Sequence, residues 1–173
     1  LGASEATGMG TSVQTAETKT ETARFTVGDN VKVFTDDGRE VVPGSGERGR
    51  VARCGPIPAG YYKDPEKSAE TFREIDGKRY SFPGDYATAV ADGHLSLLGR
   101  GNACINTAGE KVFPEEVEEA VKRHPDIFDC LVVGVPDERF GEKVVAVASF
   151  YEGKQSDEVR VIDFTREQLA GYK

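Results

Sequence analysis

Between Arg24 and Cys54 apolar and polar residues alternate in short runs. "RFTV", "VKVF" and "GERGRVARC" are separated by glycine-containing turns such as Asp36-Asp37-Gly38. A period of two with glycine punctuation predicts antiparallel strands or a small barrel. Further on, "YATAV" and "HLSLL" read as the strands of a hairpin turning at Ala91-Asp92-Gly93. The period then changes. In "FPEEVEEAVKRHP", Val117, Ala120 and Val121 recur at helical spacing, Pro114 opens the run and Pro125 closes it. Glu115 and Glu116 favour the positive end of that helix, and Glu118–Lys122 and Glu119–Arg123 fall at i, i+4 on its wet side. A shorter helix is expected over Asp64–Phe72, with Asp64 as its N-cap and Pro65 at its first position. "FDCLVVGVP" and "VVAVASFY" read as buried strands, and "SDEVRVIDFTREQLAGY" as a last helix. Residues 1–23, rich in Gly, Thr, Ser and Glu, read as loop.

The expected fold class is therefore α+β. A β-rich, distorted barrel-like part, starting at about residue 24, occupies the end of a segment 1–99. A small α+β domain follows over 103–173, with a hinge at 100–102 between them. Gly99, Gly101 and Gly109 give this joint unusual backbone freedom just before a helix start.

Bulk composition adds exclusions. With 173 residues, 38% hydrophobic and 30% charged, the chain has a globular composition with room for one domain or two small ones. A net charge of -8 with no basic patch excludes a nucleic-acid partner. The apolar runs fall short of the ~20 residues a spanning helix needs, so no transmembrane segment is expected. Cys54, Cys104 and Cys130 are far apart, and His94 and His124 are isolated, so neither a zinc site nor a Cys–His pair is expected. Free thiols fit a cytoplasmic location. The sequence leaves the oligomeric state open.

Three short patterns carry candidate chemistry. Gly2-Ala3-Ser4-Glu5 offers a hydroxyl and a carboxylate on a glycine-flanked loop, which suits a nucleotide phosphate and its Mg²⁺, although turn chemistry alone explains such a loop. Gly84-Asp85 follows Pro83, and its carboxylate could accept ribose hydroxyls or simply cap a turn. Gly99-Arg100 places a guanidinium at a strand end, within reach of ligand oxygens or of solvent.

In this order the three patterns resemble the C-terminal part of the adenylate-forming superfamily, which comprises acyl-CoA synthetases, luciferases and peptide-synthetase adenylation domains. "GASE" is similar to the family's Gly-x-Thr-Glu motif and "YSFPGDYA" to its Thr-Gly-Asp motif. "GRGNACINTAGEKVFPEEVE" resembles its hinge region, and "VVGVPDERFGEKVVAV" its C-terminal signature. The resemblance covers nearly the whole chain and looks nearest to bacterial fatty-acyl-CoA synthetases. It implies ATP, Mg²⁺ and coenzyme A, and a carboxylic acid substrate. It also implies roles: Ser4 on the α-phosphate, Glu5 on Mg²⁺, Asp85 and Arg100 on the ribose, Gly101 and Asn102 as the hinge, and Gly109, Glu110 and Lys111 along the CoA channel. The family's catalytic lysine would lie beyond Lys173, so no catalytic residue is assigned and the piece alone is not expected to be active. Leu1 stands where the family usually has an aromatic, Ser4 where Thr is commoner, and Asn106 where Lys is frequent. Loading of a carrier protein, or a non-catalytic module of the same fold, are the alternatives the sequence leaves open.

Overall fold

The computed structural model describes residues 1–12 and 23–173. Residues 13–22 of the loop expected over 1–23 thus lie outside the described residues. The chain divides into two compact units, Leu1–Leu98 and Gly99–Lys173.

The first unit is built on one seven-stranded sheet. Its strands are β1 (Arg24–Thr26), β2 (Val31–Phe34), β3 (Arg48–Cys54), β4 (Phe72–Ile75), β5 (Lys78–Ser81), β6 (Asp85–Ala89) and β7 (His94–Arg100), whose last two residues belong to the second unit. The order is β1-β7-β6-β3-β5-β4, and β2 also pairs with β3. Strand β3 is the hub: Arg48–Arg50 pair with β6, Arg53–Cys54 with β5, and Arg50–Arg53 with β2. One face buries Met9, Val31, Val33, Val41, Val51, Ala87 and Leu95 with Ala6. A second cluster joins Phe34, Ala52, Tyr80 and Phe82, with the Phe34 and Tyr80 rings edge to face at 5.0 Å.

Helix α1 (Pro65–Thr71) starts as its sequence dictates: the Asp64 carboxylate accepts from Lys67 N–H at 3.0 Å and Pro65 occupies the first turn. It stops one residue earlier than expected, because Phe72 turns extended and enters β4. The β4–β5 hairpin was not foreseen, although Asp76-Gly77, both at positive φ, is a strong two-residue turn signal.

In the second unit the end of β7 leads into a single 3-10 turn over Gly101–Ala103, followed by β8 (Ile105–Thr107), β9 (Glu110–Val112), α2 (Pro114–Lys122), β10 (Ile127–Asp137), β11 (Gly141–Phe150) and α3 (Glu158–Arg166). Its four-stranded sheet has the order β10-β11-β8-β9. The Val117, Ala120 and Val121 face of α2 is buried as its spacing requires, with Val117 and Val121 packed on Ile105, Ile127 and Val132. Asp157 caps α3 by accepting from Arg160 N–H at 2.9 Å, and the helix ends at Arg166, well short of Tyr172.

Two expectations are corrected here. Strands β10 and β11 are not buried on both faces: Leu131 is 60% and Val147 62% exposed, while Cys130 and Val132 face the core. In place of the Glu118–Lys122 pair, Lys122 meets Glu119 at 3.3 Å, and Glu118 Oε1 accepts from Val132 N–H at 2.8 Å. That second bond occupies the outer edge of β10. Asp129 Oδ1 likewise takes Cys130 N–H at 2.9 Å, and Pro136 offers no N–H. Such an edge resists the addition of another strand.

Candidate functional site

Ser4 and Glu5 form the tip of a two-residue turn. Ala3 and Ala6 exchange both backbone hydrogen bonds, each 3.1 Å long, and close the turn beneath them. Ala6 is fully buried in the core cluster, so the turn is anchored from below while Ser4 stays exposed and Glu5 half-buried. Leu1 packs against the same cluster as a partly buried hydrophobic.

Asp85 opens β6 and is 6% exposed. It shares a strand face with Ala87, and Ala87 lies in the cluster that contains Ala6. Two carboxylates from distant parts of the sequence thus hang on one core, one on the tip of a turn and one at a strand start.

The Glu5 carboxylate has a partner that the spacing of residues did not reveal. Tyr61 Oη donates to Glu5 Oε1 at 2.6 Å across 56 positions of sequence. Burial pushes the Tyr61 phenol above its ordinary pKa, and the bond to Glu5 pushes it the same way, while the Thr71 hydroxyl opposes them.

In the second unit, Arg100 is exposed at the end of β7, and its carbonyl accepts from the Cys104 thiol at 3.8 Å. Asn102 is exposed within the 3-10 turn. Gly99 just before it has φ of +125°, which favours glycine, and a Cβ there would also displace the Glu115 carboxylate. Gly109, Glu110 and Lys111 are all exposed. They are not an irregular loop: Ala108 and Gly109, both at positive φ, turn β8 into β9, and Glu110 and Lys111 begin that strand. Asn106 N–H donates to Glu142 Oε2 at 2.6 Å.

A cleft of about 640 Å³ lies in this unit between α2, β11, α3 and the segment 169–173. None of the residues assigned from sequence lines it. Lys173 does, with its Nζ 2.5 Å from Glu116 Oε1. Among the described residues no three His, Cys, Asp or Glu side chains converge as a metal cage.

Residues 116–173 match the family described as the AMP-binding enzyme C-terminal domain. A medium/long-chain-fatty-acid–CoA/3-oxocholest-4-en-26-oate–CoA ligase from Mycolicibacterium smegmatis is 52% identical across the whole chain. Residues 116–173 thus carry the AMP-binding enzyme C-terminal domain, and the chain as a whole is similar to acyl-CoA ligases.

It spans about a third, 32%, of that ligase's length. A 3-oxocholest-4-en-26-oate–CoA ligase of Rhodococcus rhodochrous is 54% identical over 85% of the chain and 26% of its own length. The fold is similar to that of ATP-bound MatB from Rhodopseudomonas palustris. That structure is 32% identical, with a TM-score of 0.67 over 83% of this chain and 28% of MatB.

Proposed function

We propose that this chain is the part of an AMP-forming acyl-CoA synthetase that carries the end of the nucleotide-binding domain and the small domain after it. The observation that carries the reading is the likeness to named CoA ligases along the entire chain, at about half of all positions. Ser4, Glu5 and Asp85, on a turn and a strand that share one core, are the residues to which the resemblance assigns the phosphate, metal and ribose contacts.

The reaction has two steps. A carboxylate oxygen of the acid attacks the α-phosphorus of ATP, and pyrophosphate leaves with the bridging electron pair. The thiol sulfur of CoA then attacks the acyl carbon, AMP leaves, and the thiol proton goes to solvent or a base. In the first step the Ser4 hydroxyl donates to an α-phosphate oxygen, where charge builds. Asp85 accepts the ribose hydroxyls, and Arg100 donates to the same sugar. Glu5 fits Mg²⁺, which takes one or two carboxylates plus substrate phosphates rather than a protein cage; when bound, the ion neutralises charge on the pyrophosphate. In the second step Gly109, Glu110 and Lys111 line the approach of CoA.

The two steps need different groups at the same place. The connector at Gly101 and Asn102 lets the small domain exchange one set for the other. The acid is proposed to be of the fatty-acid class, with a long apolar body, as the relatives' names state for them.

The test uses the full-length parent enzyme with ATP, Mg²⁺ and a panel of acids. Medium- and long-chain fatty acids are expected to drive pyrophosphate release and to yield thioester with free CoA. Pyrophosphate release with thioester formed only on a carrier protein would contradict the CoA-ligase reading. No acid-dependent pyrophosphate release at all would contradict adenylation.

A further inference from the structure

We propose that Tyr61 is a positioning residue that aims the Glu5 carboxylate at the magnesium–nucleotide complex. The inference rests on the reading of Glu5 as the metal-binding group. It adds a residue from a different part of the sequence, which no motif joins to Glu5.

The two-residue turn fixes the backbone of Glu5 but leaves its three side-chain torsions unset. A metal ligand must be held to within about 0.5 Å, so something beyond the turn has to hold the carboxylate. The Tyr61 phenol does so with a 2.6 Å bond to one carboxylate oxygen.

Tyr61 is itself held on several sides. Its N–H donates to Ser68 Oγ at 2.8 Å, and that hydroxyl donates to the Asp64 carbonyl at 2.6 Å, tying the residue to the capped start of α1. Its ring lies 5.8 Å from that of Phe72. Lys67 Nζ sits over the ring at 4.6 Å. The preceding segment is pinned by Arg79, whose guanidinium donates to the Pro58 and Ala59 carbonyls at 2.8 Å each.

The chemistry of the donor matters as much as its place. A lysine or arginine on Glu5 would also orient it, but its positive charge would compete with the cation. A neutral phenol orients the carboxylate without itself adding a positive charge beside the metal. The nearby Lys67 ammonium rests on the aromatic ring.

The experiment compares Tyr61→Phe and Glu5→Gln with the parent in the full-length enzyme. Tyr61→Phe removes one oxygen and keeps the ring contacts. Mn²⁺ is the probe, and its binding in the presence of a non-hydrolysable ATP analogue is read by electron paramagnetic resonance. Thioester formation from supplied acyl-adenylate is the second readout, because no pyrophosphate leaves in that step. Tyr61→Phe is expected to weaken Mn²⁺ binding about ten-fold, the lower end for loss of a ligand-orienting hydrogen bond, and to leave the thioester step at the parent rate. Glu5→Gln is expected to weaken Mn²⁺ binding at least as much. If Glu5→Gln loses affinity and Tyr61→Phe does not, the positioning role fails while the Glu5 assignment stands. If Tyr61→Phe slows the thioester step while Mn²⁺ binding holds, Tyr61 supports the fold and not the ligand. If Glu5→Gln binds Mn²⁺ as the parent does, the Glu5 assignment itself falls, and Tyr61 with it.

Discussion

Asp85 is a carboxylate held almost out of solvent at the start of a strand. If it accepts the ribose hydroxyls, its loss should be felt in nucleotide affinity before anything else. Hydrogen bonds to a charged group contribute ~1.5–3 kcal/mol each, so Asp85→Ala in the full-length enzyme is expected to weaken ATP binding by at least about ten-fold in isothermal titration. Unchanged affinity would remove the residue from the site. Cys130 makes a separate prediction. Burial drives its thiol pKa up to about 11, with Glu118 adding to the effect. An unfolded thiol ionises near pH 8.5, so this thiol contributes stability that is fully present below that value and is lost as pH rises toward 11. In the folded protein Cys130 should resist alkylation at pH 8 by roughly two orders of magnitude relative to the same thiol in urea. Mass-spectrometric labelling reads this directly, and equal labelling in both conditions would refute the burial.

At the scale of elements, the capped helix α1 couples local stability to the site. Asp64→Ala removes the acceptor for Lys67 N–H and is expected to cost about 1 kcal/mol of unfolding free energy in urea. Loss of less than a few tenths would mean that the cap contributes little. Capping, proline placement and the apolar face of α2 were all legible in the sequence, because each is a rule about neighbours within one turn. Glu118 shows where that legibility stops. Local spacing put it beside Lys122, but the folded chain brings the Val132 N–H within 2.8 Å, and an unpaired strand edge is the stronger claim on a carboxylate. The exposed faces of β10 and β11 were illegible for a related reason: Val-rich strands look alike whether one face is covered or both. The Asp76-Gly77 hairpin, by contrast, carries a local turn signal that spacing alone makes visible. The Tyr61–Glu5 bond could not be read from spacing at all, because the partners lie 56 residues apart.

For the whole molecule, the chain divides after Leu98, and the proposed mechanism puts its moving part at the 3-10 turn Gly101–Ala103 just beyond. Asn102 is solvent-exposed in that turn, so a change there acts on backbone freedom and not on packing. The resemblance to CoA ligases was legible because the motifs recur in order along the chain, and the order carries it more than any single residue does. The most direct measurement is a single-turnover comparison of the two half-reactions in full-length Asn102→Pro enzyme. Proline fixes φ near -65° and removes the N–H, holding the connector in one form. The expected result is that acyl-adenylate forms at close to the parent rate while thioester formation slows by at least about ten-fold. Parent rates for both half-reactions would contradict an exchange of groups through this connector.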